Sequence, residues 1–374
     1  MIAKRKWTDI LTIVSGKNQK AVANPNGQYP IYGSGGIMGY ADEYLCEAGT
    51  TIVGRKGTIN NPIFVSERFW NVDTAFGVTP GEELHPKFLY YFCRYFNFKE
   101  LDKSTTIPSL AKRDLLAIEM PVPSLEEQER IVARIEELFS ELDNGVTTLQ
   151  NVREQVSRYR YAAIENAIPY SNLRTIAECI VDMGQGWSPK CERQNTIDDE
   201  TWAVIKTTAV QPCCFAFEEN KVLPTSLVPR EKHEIQVGDI LITRAGPKSR
   251  CGVCCMVRKT KKRLLNCDKV YRIRVNPTVL LPEYMEYILN SPGFVKEIAL
   301  CKTGGNDSGL NLTQNRFLSI QIPVPTIAVQ NRIIQEIESR LSVCDCIEKT
   351  VDTALQQAEA MRQSILKKAF EGKI

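Results

Sequence analysis

Histidine is nearly absent: His85 and His233 are the only two in 374 residues, which leaves metal centres and histidine-based catalysis few candidates. No stretch approaches the roughly 20 apolar residues that a membrane span needs, and the start Met1-Ile2-Ala3-Lys4-Arg5-Lys6-Trp7 lacks the apolar core of a signal peptide, so a cytoplasmic protein without membrane contact is expected. There is no G-x-x-x-x-G-K-S/T phosphate loop. Gly33-Ser34-Gly35-Gly36-Ile37-Met38-Gly39 superficially resembles a nucleotide-binding loop, but no helix pattern or acidic partner follows at the required distance, and turns in a β-rich domain are expected instead. An Asn-Pro-Pro-Tyr-like methyl-transfer loop is missing too, since Asn60-Asn61-Pro62-Ile63-Phe64 lacks the second proline.

The composition, 43% apolar and 24% charged, excludes disordered and fibrous classes, and the length predicts two or three compact units. Thirteen cysteines, an odd number, argue for reduced thiols rather than a disulfide framework. Cys251-Gly252-Val253-Cys254-Cys255, with Cys213-Cys214 and Cys267, raises a zinc question. A structural site usually shows two spaced pairs, and alternate burial along a strand accounts for the single C-x-x-C.

The chain repeats itself. Pro121-Val122-Pro123 recurs as Pro323-Val324-Pro325, and the same offset of 202 aligns Gln128 with Gln330, Arg130 with Arg332, Ile135 with Ile337, Asp143 with Asp345 and Arg160 with Arg362. Upstream the offset is smaller: Gly49, Arg55 and Gly57 match Gly238, Arg244 and Gly246 at 189, and Pro86 matches Pro282 at 196. A scaffold is repeated while its loops differ in length, as suits two modules of one task with different specificities.

Residues 1–123 and 169–323 are rich in Gly, Pro, aromatics and short β-like runs such as Thr50-Thr51-Ile52-Val53 and Asp239-Ile240-Leu241-Ile242-Thr243, and read as mixed α/β domains. The aromatic run Phe88, Tyr90, Tyr91, Phe92, Tyr95 and Phe96 follows Pro86 on an expected helix and belongs to a core.

Residues 124–168 and 324–374 are almost free of Gly and Pro. The first carries an apolar stripe at Ile131, Ile135, Leu138, Leu142, Leu149, Val152 and Val156, interrupted at Gly145 and continuing to Tyr159 and Ala163. The second carries Ile333, Ile337, Ile347, Val351 and Ile365, with Arg340 as its misfit and Cys344, Ala354, Ala358 and Met361 between. A seven-residue period over more than four heptads predicts coiled-coil rods. Ser124 and Glu127 have the spacing of a capping box. The fold expected is α+β: two mixed α/β domains separated by two long helices that pair antiparallel, a domain at each end, with an internal pseudo-two-fold repeat.

Charge follows the same division. Lys plus Arg minus Asp plus Glu gives 14 − 12 = +2 for residues 1–123, 21 − 16 = +5 for residues 169–323 and 12 − 16 = −4 for the two rods. That partition fits phosphate contact by the domains and protein contact by the rods, although solvated faces would give similar numbers.

At the level of whole segments, Tyr29 to Pro80, from YPIYGSGGIMGY to VDTAFGVTP, resembles the target recognition domain of the specificity (S) subunits of Type I DNA restriction-modification systems. Thr105-Thr106-Ile107-Pro108-Ser109-Leu110 resembles the loop that follows in such domains, PVPSLEEQERIVARIEELF from Pro121 resembles their helical spacer, and Leu366 to Ile374 resembles their C-terminus. The resemblance covers the chain in order: domain, rod, domain, rod. It implies a non-catalytic subunit that reads a split double-stranded DNA target, one half per domain. It further implies docking of two methyltransferase subunits, which hold S-adenosylmethionine, and, where present, two motor-nuclease subunits that use ATP and Mg. No cofactor or metal is then expected in this chain. The rival reading is a self-contained DNA methyltransferase or nuclease with an unrecognised active site; a third is a coiled-coil adaptor.

Candidate DNA-contacting residues follow. Arg55 and Lys56 lie in Gly54-Arg55-Lys56-Gly57, and Arg244 in the matching Thr243-Arg244-Ala245-Gly246, with Lys248 just beyond. Arginine can bond a guanine edge in two places, and glycine allows close approach to DNA. The other reading stays open: an arginine shared by both copies shapes the turn, since base readers should differ between half-sites. Lys103, Thr105 and Thr106 in one domain and Lys302 and Asn306 in the other sit on polar loops before a short helix and suit base-edge contact. The run Arg258-Lys259-Thr260-Lys261-Lys262-Arg263, with Arg258 and Lys261 foremost, is expected either to grip phosphates or to be a solvated hairpin tip.

Overall fold

A computed structural model describes residues 3–374. It divides into two units: one runs from the N-terminus to Asn151 and takes in Val351–Ile374, and the other is Val152–Thr350. Both boundaries fall inside long helices, Leu125–Ala167 and Ile327–Phe370, so each unit contains one α/β lobe and a stretch of both helices.

In the first unit, strands β1 (Leu11–Ser15), β2 (Thr50–Gly54), β3 (Ile63–Val65) and β4 (Ala75–Pro80) form an antiparallel sheet in the order β1-β4-β2-β3. Strand β2 is buried throughout because it is central and covered on both faces. Helix Pro86–Tyr95 covers one face, where Phe88, Leu89 and Phe92 join Val53, Phe76 and Val78 in one core; on the other face Ile52 and Val65 pack with Cys46 and Phe69. The aromatic run is thus core. Residues 33–39 lie in a hairpin of Tyr29–Gly33 with Gly36–Ala41, as a turn in a β-rich lobe.

The second unit repeats the plan. Strands β5 (Ile180–Gln185), β6 (Ile240–Thr243), β7 (Cys254–Met256) and β8 (Val270–Val275) take the order β5-β8-β6-β7, and Tyr284, Met285 and Ile288 of helix Pro282–Asn290 pack on Ile240, Ile242 and Ile273. The extra residues after Pro282 build a helix, Pro292–Leu300, where the first lobe has a single 3₁₀ turn, Phe98–Leu101. Gly16 after β1 and Gly186 after β5 hold the same place. A Cβ would stand 1.9 Å from the Val72 carbonyl oxygen in one and 2.0 Å from that of Asn266 in the other, so the chain can pass this close only at glycine.

Each lobe is closed by a ribbon of its outermost strands, Lys4–Lys6 with Glu119–Pro121 and Leu173–Thr175 with Gln321–Pro323, from which the chain enters a long helix. One half of the expected capping box forms: Ser124 Oγ accepts the Glu127 N–H at 3.4 Å, while the Glu127 carboxylate is drawn to Arg130 by two bonds of 2.8 and 2.7 Å.

A fully buried glutamine ties each helix to its lobe. Gln128 accepts the His85 N–H (2.8 Å) and donates to the carbonyls of Glu83 and Pro123 (both 2.9 Å); Gln330 accepts the Leu281 N–H (2.9 Å) and donates to those of Val279 and Pro325 (both 2.8 Å). Gln128→Ala or Gln330→Ala leaves three backbone groups without partners. Each should lower stability by about 3 kcal/mol, an unpaired buried group costing about 1–3 kcal/mol and water relieving part of the loss, as urea unfolding would measure.

Within each unit the helices pair antiparallel. In the first, Ile135, Phe139 and Leu142 share a core with Ile365, Leu366 and Ala369, and Arg362 bonds Asp143 while its guanidinium lies 5.2 Å from the Phe139 ring. In the second, Ile164 and Ile168 pack with Ile333, Ile334 and Ile337, and Arg160 bonds Asp345 and Glu348 (2.8 Å). The ion pairs Asp143–Arg362 and Asp345–Arg160 are images of each other under the 202-residue offset.

The heptad assignment needs correction in places. Ile131, Ile135, Val156, Ile333, Ile337 and Val351 are buried and Leu138, Leu142, Leu149, Val152 and Ile365 half-buried, but Ile347, Tyr159 and Met361 are exposed. The residue after each, Glu348, Arg160 and Arg362, is the half-buried one, as Val146 is beside exposed Gly145. A helix of 3.6 residues per turn drifts off a strict seven-residue frame, and long charged side chains cover the seam where it has drifted.

Candidate nucleic-acid interface

Arg55 and Arg244 occupy the same environment. The N–H of Arg55 donates to the Thr74 carbonyl (2.8 Å), its Nη1 to the Asp73 carbonyl (3.3 Å), and its guanidinium lies 5.8 Å from the Phe76 ring. For Arg244 the partners are Lys269 (2.8 Å), Asp268 (3.0 Å) and Tyr271 (5.4 Å). Each arginine therefore pins the end of its strand to the entry of the neighbouring paired strand, β4 or β8, a contact that shapes the turn.

The carbonyls of these two arginines accept the N–H groups of Leu110 (2.9 Å) and Leu312 (2.7 Å), which draws the loop before the last short helix to each turn. In the first lobe Lys56 bridges Ser109, and the Gly57 N–H donates to the Pro108 carbonyl at 2.8 Å. Asp102 folds this loop: it accepts from the N–H (3.0 Å) and Oγ (2.6 Å) of Ser104 and the N–H of Ser109 (3.1 Å), and the Ser104 hydroxyl foremost holds its carboxyl below the usual range. Lys103, Thr105 and Thr106 stand exposed on it, Lys103 paired with Asp114 at 3.2 Å.

In the second lobe the junction is a small sheet. Ala245–Gly246 pairs with Leu310–Asn311, and Lys302–Thr303 with Asn311–Leu312. The Lys248 N–H donates to the Asp307 carbonyl (2.7 Å) and its Nζ lies 3.5 Å from the Asp307 carboxylate; Lys302 is half-buried and Asn306 exposed at the tip. The fold thus gathers Arg55, Lys56, Lys103, Thr105 and Thr106 in one lobe, and Arg244, Lys248, Lys302 and Asn306 in the other. Asp102 and Asp307, which shape and tether the loops, carry no motif; only the Asp-x-Ser spacing of Asp102 and Ser104 hints at a turn.

The basic run lies apart from these junctions; Lys259 and Lys262 are exposed on it, while Lys261 is buried, and the phosphate contact expected of it is corrected. Arg258 is committed to the fully buried Glu286 at 2.6 Å; burial disfavours its charge, and the Glu286 bond more than offsets this, so its pKa stands above the ordinary value. Lys261 is 3% exposed and donates from Nζ to the carbonyls of Thr201 (2.6 Å) and Lys262 (2.9 Å); burial lowers its pKa.

Of the clustered cysteines, Cys251, Cys254, Cys255 and Cys267 are buried, Cys213 is half-buried and Cys214 exposed. Cys254 and Cys255 lie on β7, and burial pushes the Cys213 thiol up to about 12, against the thiolate that zinc would need. Asn60 caps the Phe98 N–H at 2.8 Å, a structural task. Burial lowers the pKa of His233. No helix among the described residues is long and apolar enough to cross a membrane.

These lobes have counterparts. Residues 2–152 match the family model of the Type I restriction modification DNA specificity domain. The chain is 38% identical to the Type I restriction enzyme EcoEI specificity subunit of Escherichia coli over 181 residues, 48% of this chain and 30% of that protein. It is 25% identical to the EcoKI specificity subunit of Escherichia coli strain K12 over 275 residues, 69% and 58% of the two chains. The chain thus spans 30% and 58% of the length of these two relatives. In fold it is similar over 100% of its length to a chain from a structure of Type I restriction-modification complex assembly (TM-score 0.74, 16% identity, 98% of that chain). It is likewise similar to the HsdS subunit from Thermoanaerobacter tengcongensis (TM-score 0.53, 16% identity, 100% and 97%). Together these findings place the chain among the relatives of Type I restriction-modification specificity subunits.

Proposed function

We propose that the chain is the DNA-recognition subunit of a Type I restriction-modification complex and has no active site of its own. The lobes of residues 1–123 and 169–323 each read one half of a bipartite double-stranded target. The helical segments 124–168 and 324–374 dock two methyltransferase subunits and, where present, two restriction subunits, in the cytoplasm. S-adenosylmethionine then belongs to the methyltransferase, and ATP with Mg to the nuclease. One observation carries this reading: both lobes build the same arginine-pinned turn and join to it a loop of different length, sequence and charge. A shared frame with divergent exposed loops is what two readers of different half-sites require. Lys56, Lys103, Thr105, Thr106, Lys248, Lys302 and Asn306 supply the polar groups at those junctions, while Arg55 and Arg244 hold the loops in place. The relatives are named as specificity subunits, which favours this scaffold over a self-contained enzyme.

Replacing residues 1–123 by the first domain of another family member should change one half of the methylated motif and leave the other, as read from the genome of cells carrying the chimera and its methyltransferase. A change in both halves at once would overturn modular reading. Methyl transfer by the isolated chain given S-adenosylmethionine and DNA would overturn the scaffold reading itself.

A further inference from the structure

The second lobe holds a cleft of about 560 Å³ beside the Arg244 turn, lined by Lys190, Lys206, Lys221 and Lys269, with Ser188 and Asp268 at its edge. Lys190, Lys221 and Lys269 are exposed and Lys206 half-buried. Among the described residues only Lys206 of the four is ion-paired, to Glu219 at 3.4 Å. The Asp268 carboxylate is occupied by the Ser188 hydroxyl. With Lys206 paired, three further ammonium groups against one lining carboxylate leave the cleft cationic.

The cleft and the turn share a wall, because Arg244 donates to the carbonyls of both Asp268 and Lys269. The first lobe keeps a lysine, Lys20, at the place of Lys190, four residues after Gly16 as Lys190 is after Gly186, but has no such charge at the other three. Asn71 and Asn266 are equivalent, each bonding from Nδ2 the carbonyl four residues on (3.2 and 2.9 Å), and Thr74 and Lys269 each accept the turn arginine's N–H. Strand register then sets Gly39, opposite Ile31, against Lys221, opposite Val204, and Gly33 against Lys206. Glycine, glycine and threonine stand where the second lobe has three lysines.

We propose that this cleft grips the sugar-phosphate backbone of the DNA duplex, so that the second lobe is the electrostatic anchor of the complex while the first reads its half-site with little such help. The proposal rests on the DNA-recognition reading. Lysine suits the task as a mobile point charge that meets phosphate without selecting a base. Each phosphate neutralised releases counterions, so the grip shows in the salt dependence of binding.

The test uses the chain assembled with its methyltransferase partner and measures affinity for a target duplex and a scrambled duplex across a series of salt concentrations. Changing Lys190, Lys206, Lys221 and Lys269 to Gln should weaken both duplexes by the same factor and flatten the slope of log K against log salt by about 0.9 for each phosphate left without its lysine. Lys221→Gln alone, at an exposed strand position, should flatten it by about 0.9 and guards against misfolding of the fourfold variant. An unchanged slope in folded variants overturns the proposal, as does a weakening confined to the target duplex, which would make these lysines base readers. If the unaltered complex binds neither duplex, the DNA-recognition reading itself has failed.

Discussion

Glu286→Ala should destabilise the second unit by about 1–3 kcal/mol, the cost of leaving a buried donor without its acceptor. Glu286 is fully buried on helix Pro282–Asn290, accepts the Met256 N–H on β7 at 2.6 Å through one oxygen and Arg258 at 2.6 Å through the other. Its loss strands the Met256 N–H, whereas Arg258, 44% exposed, turns to water. Arg258→Ala leaves a buried carboxylate without its cation and should also be costly, whereas the double change Glu286→Leu with Arg258→Met removes the whole pair and should recover much of the loss. Urea unfolding of the three variants gives the comparison. The same proteins, assembled with the methyltransferase, should keep the salt dependence of DNA binding if Arg258 is a structural residue. A stable Arg258→Ala variant with a flattened slope would return that arginine to phosphate contact.

Arg258 also shows where sequence reading runs out. Six cationic or polar residues in a row look like a solvated tip or a phosphate grip, and the carboxylate that pairs with the first of them lies 28 residues away on a helix. Lys261 is satisfied by backbone carbonyls, which no side-chain pattern records. The repeat, by contrast, was legible at fixed offset because both copies solve the same packing problem: Gln128 and Gln330 must pair three backbone groups each, and Asp143–Arg362 and Asp345–Arg160 must both close. The rods were legible from their apolar period, but the seven-residue frame put Tyr159, Ile347 and Met361 on the seam. Arginine and glutamate at the true seam positions are invisible to a count of apolar residues, although they lie there with their stems packed and their charges paired. For the candidate interface, the arginine turns and polar loops could be picked out singly. That they meet was not readable, since the junction is made by main-chain bonds such as Leu110 to Arg55 and Leu312 to Arg244. The lysine cleft escaped for the same reason, its four lysines being spread over some 80 residues of sequence.

Four residues inserted into both long helices should lengthen the unread spacer of the DNA target while leaving its half-sites unchanged. An antiparallel pair must be extended at facing points. Asp143 faces Arg362, so an insertion between Asn144 and Gly145 calls for one between Ala360 and Met361; Arg340, the interruption in the second stripe, belongs to the other unit and cannot serve. Gly145 is a tolerant place, exposed and with open space around it. Four residues add about 6 Å to each helix at about 1.5 Å per residue, near the rise of two base pairs, and make close to one helical turn, which the seam can absorb as a local stutter. The half-sites stay the same because the insertion touches neither arginine turn nor the loops joined to it. An insertion in the first helix alone should instead slide the ion pair Asp143–Arg362 out of register and weaken folding. The measurement is the methylated motif in genomic DNA from cells carrying the doubly extended chain with its methyltransferase. A spacer longer by about two base pairs is expected, and a folded, active variant with an unaltered spacer would show that something other than these helices sets the distance.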